Sequence, residues 1–366
     1  GAFFAANVAA CLGISQPLWV DLFGHTVSEI QAKVARSAKD EREFFKFLYQ
    51  CQLAVLRKGD MFSTLSNPQK YAAIGELGCS GRINDKNLGY DLVRVIPCGF
   101  DSEAVFTPTP GVLRGKIAQP ADFVVLWTGG FNSWVDEKTL FEGLVRAMDG
   151  NPSILWVGLG GGIQGHFQEG YEWFRAQASA CKHRDRFVFL DWLPTDQVRS
   201  FFYESDIGIN VDLPIYEALL GGRNRIVGWM ADGLPTLTTE ISEISHIIRD
   251  HQLGFTVPPG QPDLLAQLLV HLSNNRELVR QTGRRARGYA YENLSFESTV
   301  QPLLEWVQNP SVSPDRRFLL DQGLSHLNSL DAVLGDFLKF LHNPPPETPS
   351  RQESRLSRWL RRARMG

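Results

Sequence analysis

The stretch from residue 206 to 260, DIGINVDLPIYEALLGGRNRIVGWMADGLPTLTTEISEISHIIRDHQLGFTVPPG, constrains the fold more than any other part of the chain. The apolar run 207–211 reads as a buried strand, and a helical pattern over 216–232 follows it. Gly233-Leu234-Pro235 closes that helix, because glycine accepts a left-handed cap and proline cannot continue the helix. A strand over 234–239, a helix over 240–250 and a short strand over 254–257 complete the pattern β-α-β-α-β, the grammar of a parallel sheet. Ligands of such sheets bind outside the carboxyl ends of the strands. This stretch brings Asp212, Glu217, Arg223, Arg225, Thr238, Thr239, Glu240 and Glu243 near such ends. Helix N-termini there carry partial positive charge and free N–H groups suited to a diphosphate. Two arginines two residues apart add bidentate contacts to phosphate oxygens.

The rest of the chain repeats the alternation on both sides. Strands are expected at 17–23, 60–66 and 92–96, with helices over 26–39, 40–58 and 67–77 between them and another at the start. Thr26 or Ser28 is the expected cap of the helix after the first strand. Residues 102–120, with Pro108, Pro110 and Pro120, read as a linker. A second sheet opens with a strand at 123–128, a helix over 136–148, a strand at 153–157 and another at 186–190. The glycines 158–162 read as a loop rather than a dinucleotide fingerprint, since they follow the second strand and the next helix starts late, near residue 167. His166 reads as a loop residue. Helices over 263–274, 276–291 and 296–307 close the pattern.

Several motifs in this order resemble the GT-B glycosyltransferases, and most closely the retaining glycosyltransferase family 4 group. Gly233-Leu234-Pro235, the strand after it, and Glu240 or Glu243 opening the next helix are similar to that group's arrangement. So are Gly254-Phe255-Thr256-Val257-Pro258-Pro259-Gly260, the ending Ile96-Pro97-Cys98-Gly99-Phe100-Asp101 and the turn Phe189-Leu190-Asp191-Trp192-Leu193-Pro194. The resemblance implies an α/β chain of two Rossmann-like domains facing a cleft. The expected division is an acceptor-side domain at 1–101, incomplete at its N-terminal side, the linker 102–120 and a donor-binding domain at 121–310. A helical extension at 311–343 and a Pro/Arg-rich tail at 344–366 follow.

The resemblance also implies site residues. Gly129, Gly130 and Asn132 form the turn over the donor phosphates, and Lys138 stands near the family's lysine. Trp192 lies where the nucleotide base is read, and Glu217 where the sugar or ribose is met. Arg223, Arg225 and Lys138 are the diphosphate candidates. Glu240, Glu243 and the amides from Thr239 to Ser242 are candidates for the donor sugar hydroxyls. His25 and Asp21 are the catalytic candidates, at the place where the family sets a residue near the anomeric carbon. One departure stands out: the second of the family's two glutamates falls near Gly228, which has no side chain. Arg223-Asn224-Arg225 resembles the arginine-rich pattern of some relatives instead.

The expected function is transfer of a sugar from a nucleotide-sugar donor to a glycan or lipid-linked acceptor, with retention, in surface polysaccharide, lipopolysaccharide or glycoconjugate synthesis. Nucleotide diphosphate sugar is the co-substrate, with no cofactor and no metal. A sugar-nucleotide epimerase of the same fold and a non-catalytic binding domain are the alternatives. The net charge of −3 gives no global basis for nucleic-acid binding. Five scattered cysteines without a CxxC read as reduced thiols of a cytoplasmic protein. No run of about 18 apolar residues and no charged leader is present, so neither a membrane span nor a signal peptide is expected. The arginine-rich end, with Leu356, Trp359 and Leu360 on one helical side, suits peripheral contact with an anionic membrane.

Overall fold

The computed structural model describes residues 2–12, 15–37, 42–163 and 167–316. His166, most of the extension at 311–343 and the whole Pro/Arg-rich tail lie outside the described residues.

The first part of the chain runs α1 (Ala2–Cys11), β1 (Trp19–Leu22), α2 (Thr26–Arg36), α3 (Arg42–Lys58), β2 (Met61–Thr64), α4 (Asn67–Cys79) and β3 (Val93–Val95). The three strands pair in parallel in the order β1-β2-β3. Val20, Leu22, Phe62 and Val93 face a core closed by Val55 and Leu56 of α3 and Ala73 and Leu77 of α4. The cap of α2 is neither Thr26 nor Ser28 but His25, whose Nδ1 accepts from the Ser28 amide at 3.3 Å, an imidazole doing the work of an Asx side chain. Ser66 caps α4 by accepting from the Gln69 amide at 3.2 Å, and Pro68 sits in the first turn, where it costs no hydrogen bond.

The second part runs β4 (Phe123–Gly130), α5 (Glu137–Gly150), β5 (Ile154–Gly161), α6 (Glu169–Ala180), β6 (Phe187–Leu190), α7 (Thr195–Glu204) and β7 (Ile207–Asn210). It continues through α8 (Tyr216–Leu220), α9 (Asn224–Asp232), β8 (Thr236–Thr239), α10 (Glu243–Asp250) and β9 (Gly254–Val257). Its six parallel strands take the order β6-β5-β4-β7-β8-β9, the doubly wound order in which the direction of winding reverses between β4 and β7. β4, FVVLWTGG, is apolar almost throughout because helices cover both faces of a parallel sheet. Phe123, Val125 and Trp127 enter one core layer, and Val124 and Leu126 the other.

Three expectations are corrected here. The helix expected over 216–232 is two helices, α8 and α9, because Gly221 and Gly222 extend the chain between them. The glycines after the second strand of this sheet are not a loop: β5 runs to Gly161, with Gly158 to Gly161 paired to β4 or β6. The helix expected to open at residue 240 begins at Glu243, since the Glu240 amide is bound to the Val257 carbonyl at 2.9 Å. Gly233 takes the left-handed cap at φ 79°, as its place before Leu-Pro predicts.

The proline-rich segment 102–120 is packed rather than slack. Leu113 and Ala118 are fully buried, and the Glu204 carboxylate of α7 receives the amides of Leu113 and Arg114 at 2.7 and 2.8 Å. After α11 (Pro262–Ser273), α12 (Arg276–Asn293), α13 (Phe296–Thr299) and α14 (Gln301–Gln308), the chain returns to the first sheet. Trp306 packs edge-on against Trp19 at 5.4 Å. Beyond it, Asp315 forms a buried ion pair with Arg82, whose guanidinium also donates to the carbonyls of Leu56 and Gly59 and to Ser313. Ser313 and Arg316 both reach Asp60. Among the described residues no helix is long and apolar enough to cross a membrane.

Candidate active site

Glycines end β4, and Gly129 adopts φ 87°, so the backbone turns away at the carboxyl edge of the sheet. Arg225, in the first turn of α9, reaches that edge. Its Nη2 donates to the Gly130 carbonyl at 2.9 Å, and the guanidinium lies 4.3 Å over the ring of Trp127. Its Nη1 is buried and has no hydrogen-bond partner among the described residues. Burial pulls its pKa down to about 10. The guanidinium borders a cavity of about 260 Å³ lined by Thr128, Gly129, Gly160, Trp192 and Leu193. Trp192 is 54% exposed at the rim, and its indole N–H holds the Gly162 carbonyl at 3.0 Å.

Arg223, two residues before, faces a different set of partners. Its Nε donates to Asp212 Oδ2 at 2.6 Å, and both terminal nitrogens reach Glu217, at 2.8 and 3.1 Å. All three side chains are buried. Although burial works against the charge, the two carboxylates hold the Arg223 pKa above its ordinary value. Two carboxylates share one cation, and burial pushes Glu217 up to about 7, against the pull of Arg223. Asp212 is fixed by its own amide, which donates to Thr239 Oγ1 at 2.9 Å, and by Asn210 Nδ2 at 2.8 Å, yet its Oδ1 has no partner among the described residues. Arg223 and Arg225 therefore do not act as a pair: one is consumed by protein carboxylates, and one has a donor to give.

The remaining expected residues separate. Glu243, at the start of α10, reaches across the cleft to accept from the amide and side chain of Asn67 at 3.1 and 2.7 Å, at the N-terminus of α4. Ser66 Oγ bonds the Leu220 carbonyl beside it at 2.9 Å. Glu240 pairs with Arg249 and receives Thr256 Oγ1 at 3.3 Å. Of the amides expected to grip a sugar, that of Ile241 is bound to Ser245 Oγ at 3.0 Å. Thr238 Oγ1 faces Asn210 inside the sheet. Asn132 stands beside Gly130, and Lys138 is exposed on the first turn of α5. On the other wall, Asp21 accepts from Ser63 Oγ at 2.8 Å, and His25 Nε2 faces Glu76 at 3.3 Å.

Residues without a sequence signal also meet here. Cys98 is a half-buried thiol that donates to Asn224 Oδ1, with burial pushing its pKa up to about 11. Arg36 of α2 donates to the Ser133 and Val135 carbonyls at 2.7 and 2.8 Å and pairs with Glu137. Glu29 of α2 looks across at the Arg223 cluster, its pKa raised by burial against the pull of Arg223. Among the described residues no three His, Cys, Asp or Glu side chains are grouped to hold a metal.

A profile of the family described as Glycosyl transferases group 1 matches residues 123–275, the span holding the six-stranded sheet, Arg223 and Arg225. Residues 123–275 thus match the group 1 glycosyl transferases, a match that supports a glycosyltransferase, and the fold of the chain is of GT-B type. Solved structures share the fold at low identity. Anabaena HepE in complex with UDP and glucose is 18% identical, with a TM-score of 0.63 over 84% of this chain and 75% of that one. Sucrose-phosphate synthase from Thermosynechococcus elongatus is 17% identical, with a TM-score of 0.60 over 84% and 71%. A UDP-forming α,α-trehalose-phosphate synthase from Burkholderia xenovorans is 12% identical, with a TM-score of 0.61 over 84% and 71%. Curated proteins include no significant sequence match. The cavity beside Arg225 lies outside the carboxyl ends of β4 and β5, the side of a parallel sheet on which ligands bind.

Proposed function

We propose that this protein is a glycosyltransferase that moves a hexosyl group from a UDP-sugar to a hydroxyl of a glycan or lipid-linked acceptor, with retention, in surface polysaccharide or glycoconjugate synthesis. The halves carrying the first and second sheets serve as acceptor and donor sides. The observation that carries this reading is the buried, unpartnered Nη1 of Arg225 beside the cavity at the carboxyl ends of β4 and β5. A buried cationic donor without an acceptor is costly and calls for an anionic ligand. A diphosphate leaving group there gains a charge-assisted hydrogen bond that strengthens as the glycosidic bond breaks. Trp192 offers a face to the base, and the lower pKa of Arg225 returns toward its ordinary value once a phosphate replaces the missing counter-charge.

Retention and the acceptor class come from the family resemblance. The acceptor reading gains support from a mostly apolar groove of about 600 Å³ between α2 and residues 213–219, whose charged residue, Arg36, is already engaged. Peripheral contact with an anionic membrane surface through the arginine-rich end fits a lipid-linked acceptor.

Thermal unfolding against a panel of UDP-, GDP- and ADP-sugars tests the donor reading. A ligand at one hundred times its Kd stabilises by about 2.7 kcal/mol, which moves Tm by several degrees. UDP-sugars are expected to give that shift and Arg225→Ala to abolish it. A folded protein that responds to no nucleotide overturns the reading in favour of a non-catalytic binding domain.

A further inference from the structure

The loop between β4 and α5, residues 131–136, is held by three guanidiniums. Arg225 of α9 donates to the Gly130 carbonyl just before it at 2.9 Å, and Arg223 lies 5.7 Å over the ring of Trp134 in its middle. The third is Arg36, which comes from the other half of the molecule, in the last turn of α2. Its Nη1 donates to the carbonyls of Ser133 and Val135 at 2.7 and 2.8 Å, and its Nη2 meets both oxygens of Glu137 at 2.5 and 2.7 Å. The ring of Phe167 lies 4.8 Å from the same guanidinium. Ser133, Val135 and Glu137 are all buried. Carbonyls of a buried loop need donors, and a planar fork fixed by a bidentate carboxylate supplies two of them in one geometry.

Arg36 does not line the cavity beside Arg225. It reaches that cavity through the loop. The Gly130 carbonyl fixes Nη2 of Arg225, and with Nη2 fixed the direction of the buried, unpartnered Nη1 is fixed too. The loop is tied to the end of β7 as well, by the Leu213 amide on the Trp134 carbonyl at 2.8 Å and the Asp136 amide on the Val211 carbonyl at 3.0 Å. Those ties lie within the second-sheet half, whereas Arg36 links the loop to the first. On its other side Arg36 borders the apolar groove between α2 and residues 213–219. One side chain thus touches both the groove on the acceptor side and the loop that aims the donor-side arginine. A misplacement of about 1 Å in such a positioning group costs up to about a hundredfold in rate.

We infer that Arg36 is a positioning residue for the transfer: contact between the two halves reaches the donor diphosphate through Arg36, the loop 131–136 and Arg225, in that order. This rests on the donor reading above.

The test is isothermal titration calorimetry of the full chain with UDP and with UDP-glucose, alongside hydrogen exchange at residues 131–136. Arg36→Ala is expected to weaken both ligands about tenfold and to speed exchange in the loop. Glu137→Gln is expected to weaken them in the same direction, and the two changes together cost no more than Arg36→Ala alone, because they remove one contact. Arg36→Lys recovers part of the loss, since an ammonium keeps the charge beside Glu137 but cannot hold a carboxylate and two carbonyls at once. Arg186 supplies the matched control. At the amino ends of β5 and β6 its guanidinium likewise holds one carboxylate, Asp122, and two carbonyls, Ser153 and Ile154. Arg186→Ala is expected to lower Tm and leave both affinities unmoved. Affinities unmoved by Arg36→Ala, or moved equally by Arg186→Ala, overturn the inference and leave the donor reading standing. A loss of affinity without faster exchange at 131–136 overturns the route through the loop. A folded wild type that binds neither ligand overturns the donor reading, and this inference with it.

Discussion

Glu217 is a buried carboxyl whose pKa of about 7 comes first from burial, against the pull of Arg223 and with the added repulsion of Asp212. The folded state binds this proton more tightly than the unfolded chain, whose value is about 4.5. Its contribution to stability is therefore complete below the unfolded value and is lost as pH rises through about 7. Urea unfolding across pH 4.5 to 8 is expected to show wild-type stability falling relative to Glu217→Gln over that window, by an amount on the order of a few kcal/mol. Arg223→Ala is expected to cost about 3–5 kcal/mol, because it leaves two buried carboxylates without their cation. Sequence placed Arg223 and Arg225 near the carboxyl ends of the strands, where they stand, and named both as phosphate contacts. What sequence does not carry is how Asp212 and Glu217 divide them, since that depends on the break at Gly221 and Gly222, which turns one arginine inward.

The elements were readable because each strand of the second sheet is an apolar run bounded by turn residues, and each helix has helical spacing and a stop. The failures fall at glycines. The glycine cluster of β5 reads as a loop locally, yet the sheet holds it extended because β4 supplies pairing partners as far as Gly161. Glycines also decide how closely the helices approach. A Cβ at Gly283 of α12 would lie 2.2 Å from the Gly233 carbonyl oxygen, a backbone atom at the cap of α9 that has no rotamer to retreat into. Gly283→Ala is expected to destabilise by about 1–3 kcal/mol or more through overpacking. Gly75→Ala in α4, where a Cβ meets nothing within 4 Å, is expected to stabilise by up to about 1 kcal/mol. Chemical denaturation of the two variants side by side checks both signs.

At the scale of the molecule, the two sheets are tied by contacts that also form the cleft: Arg36 to Glu137, Glu243 to Asn67, and Ser66 to Leu220. The chain is also sewn back to its beginning by the buried pair Arg82–Asp315. Burial works against the Asp315 charge, yet Arg82 holds its pKa below the ordinary carboxylate value, so this stabilisation is present above the unfolded value and lost as pH falls through the folded one. Arg82→Ala is expected to cost about 3–5 kcal/mol, and limited proteolysis should then cut first near residue 313. That return contact has a consequence for synthesis. Arg82 and Asp315 are separated by 233 positions, and Asp60 waits equally for Ser313 and Arg316. At a ribosomal rate of about 5–20 residues per second, the nascent first sheet holds two buried charges unanswered for roughly 10 to 50 seconds. The half translated first is thus the half completed last, and its window of exposure to chaperones and proteases is set by the speed of elongation.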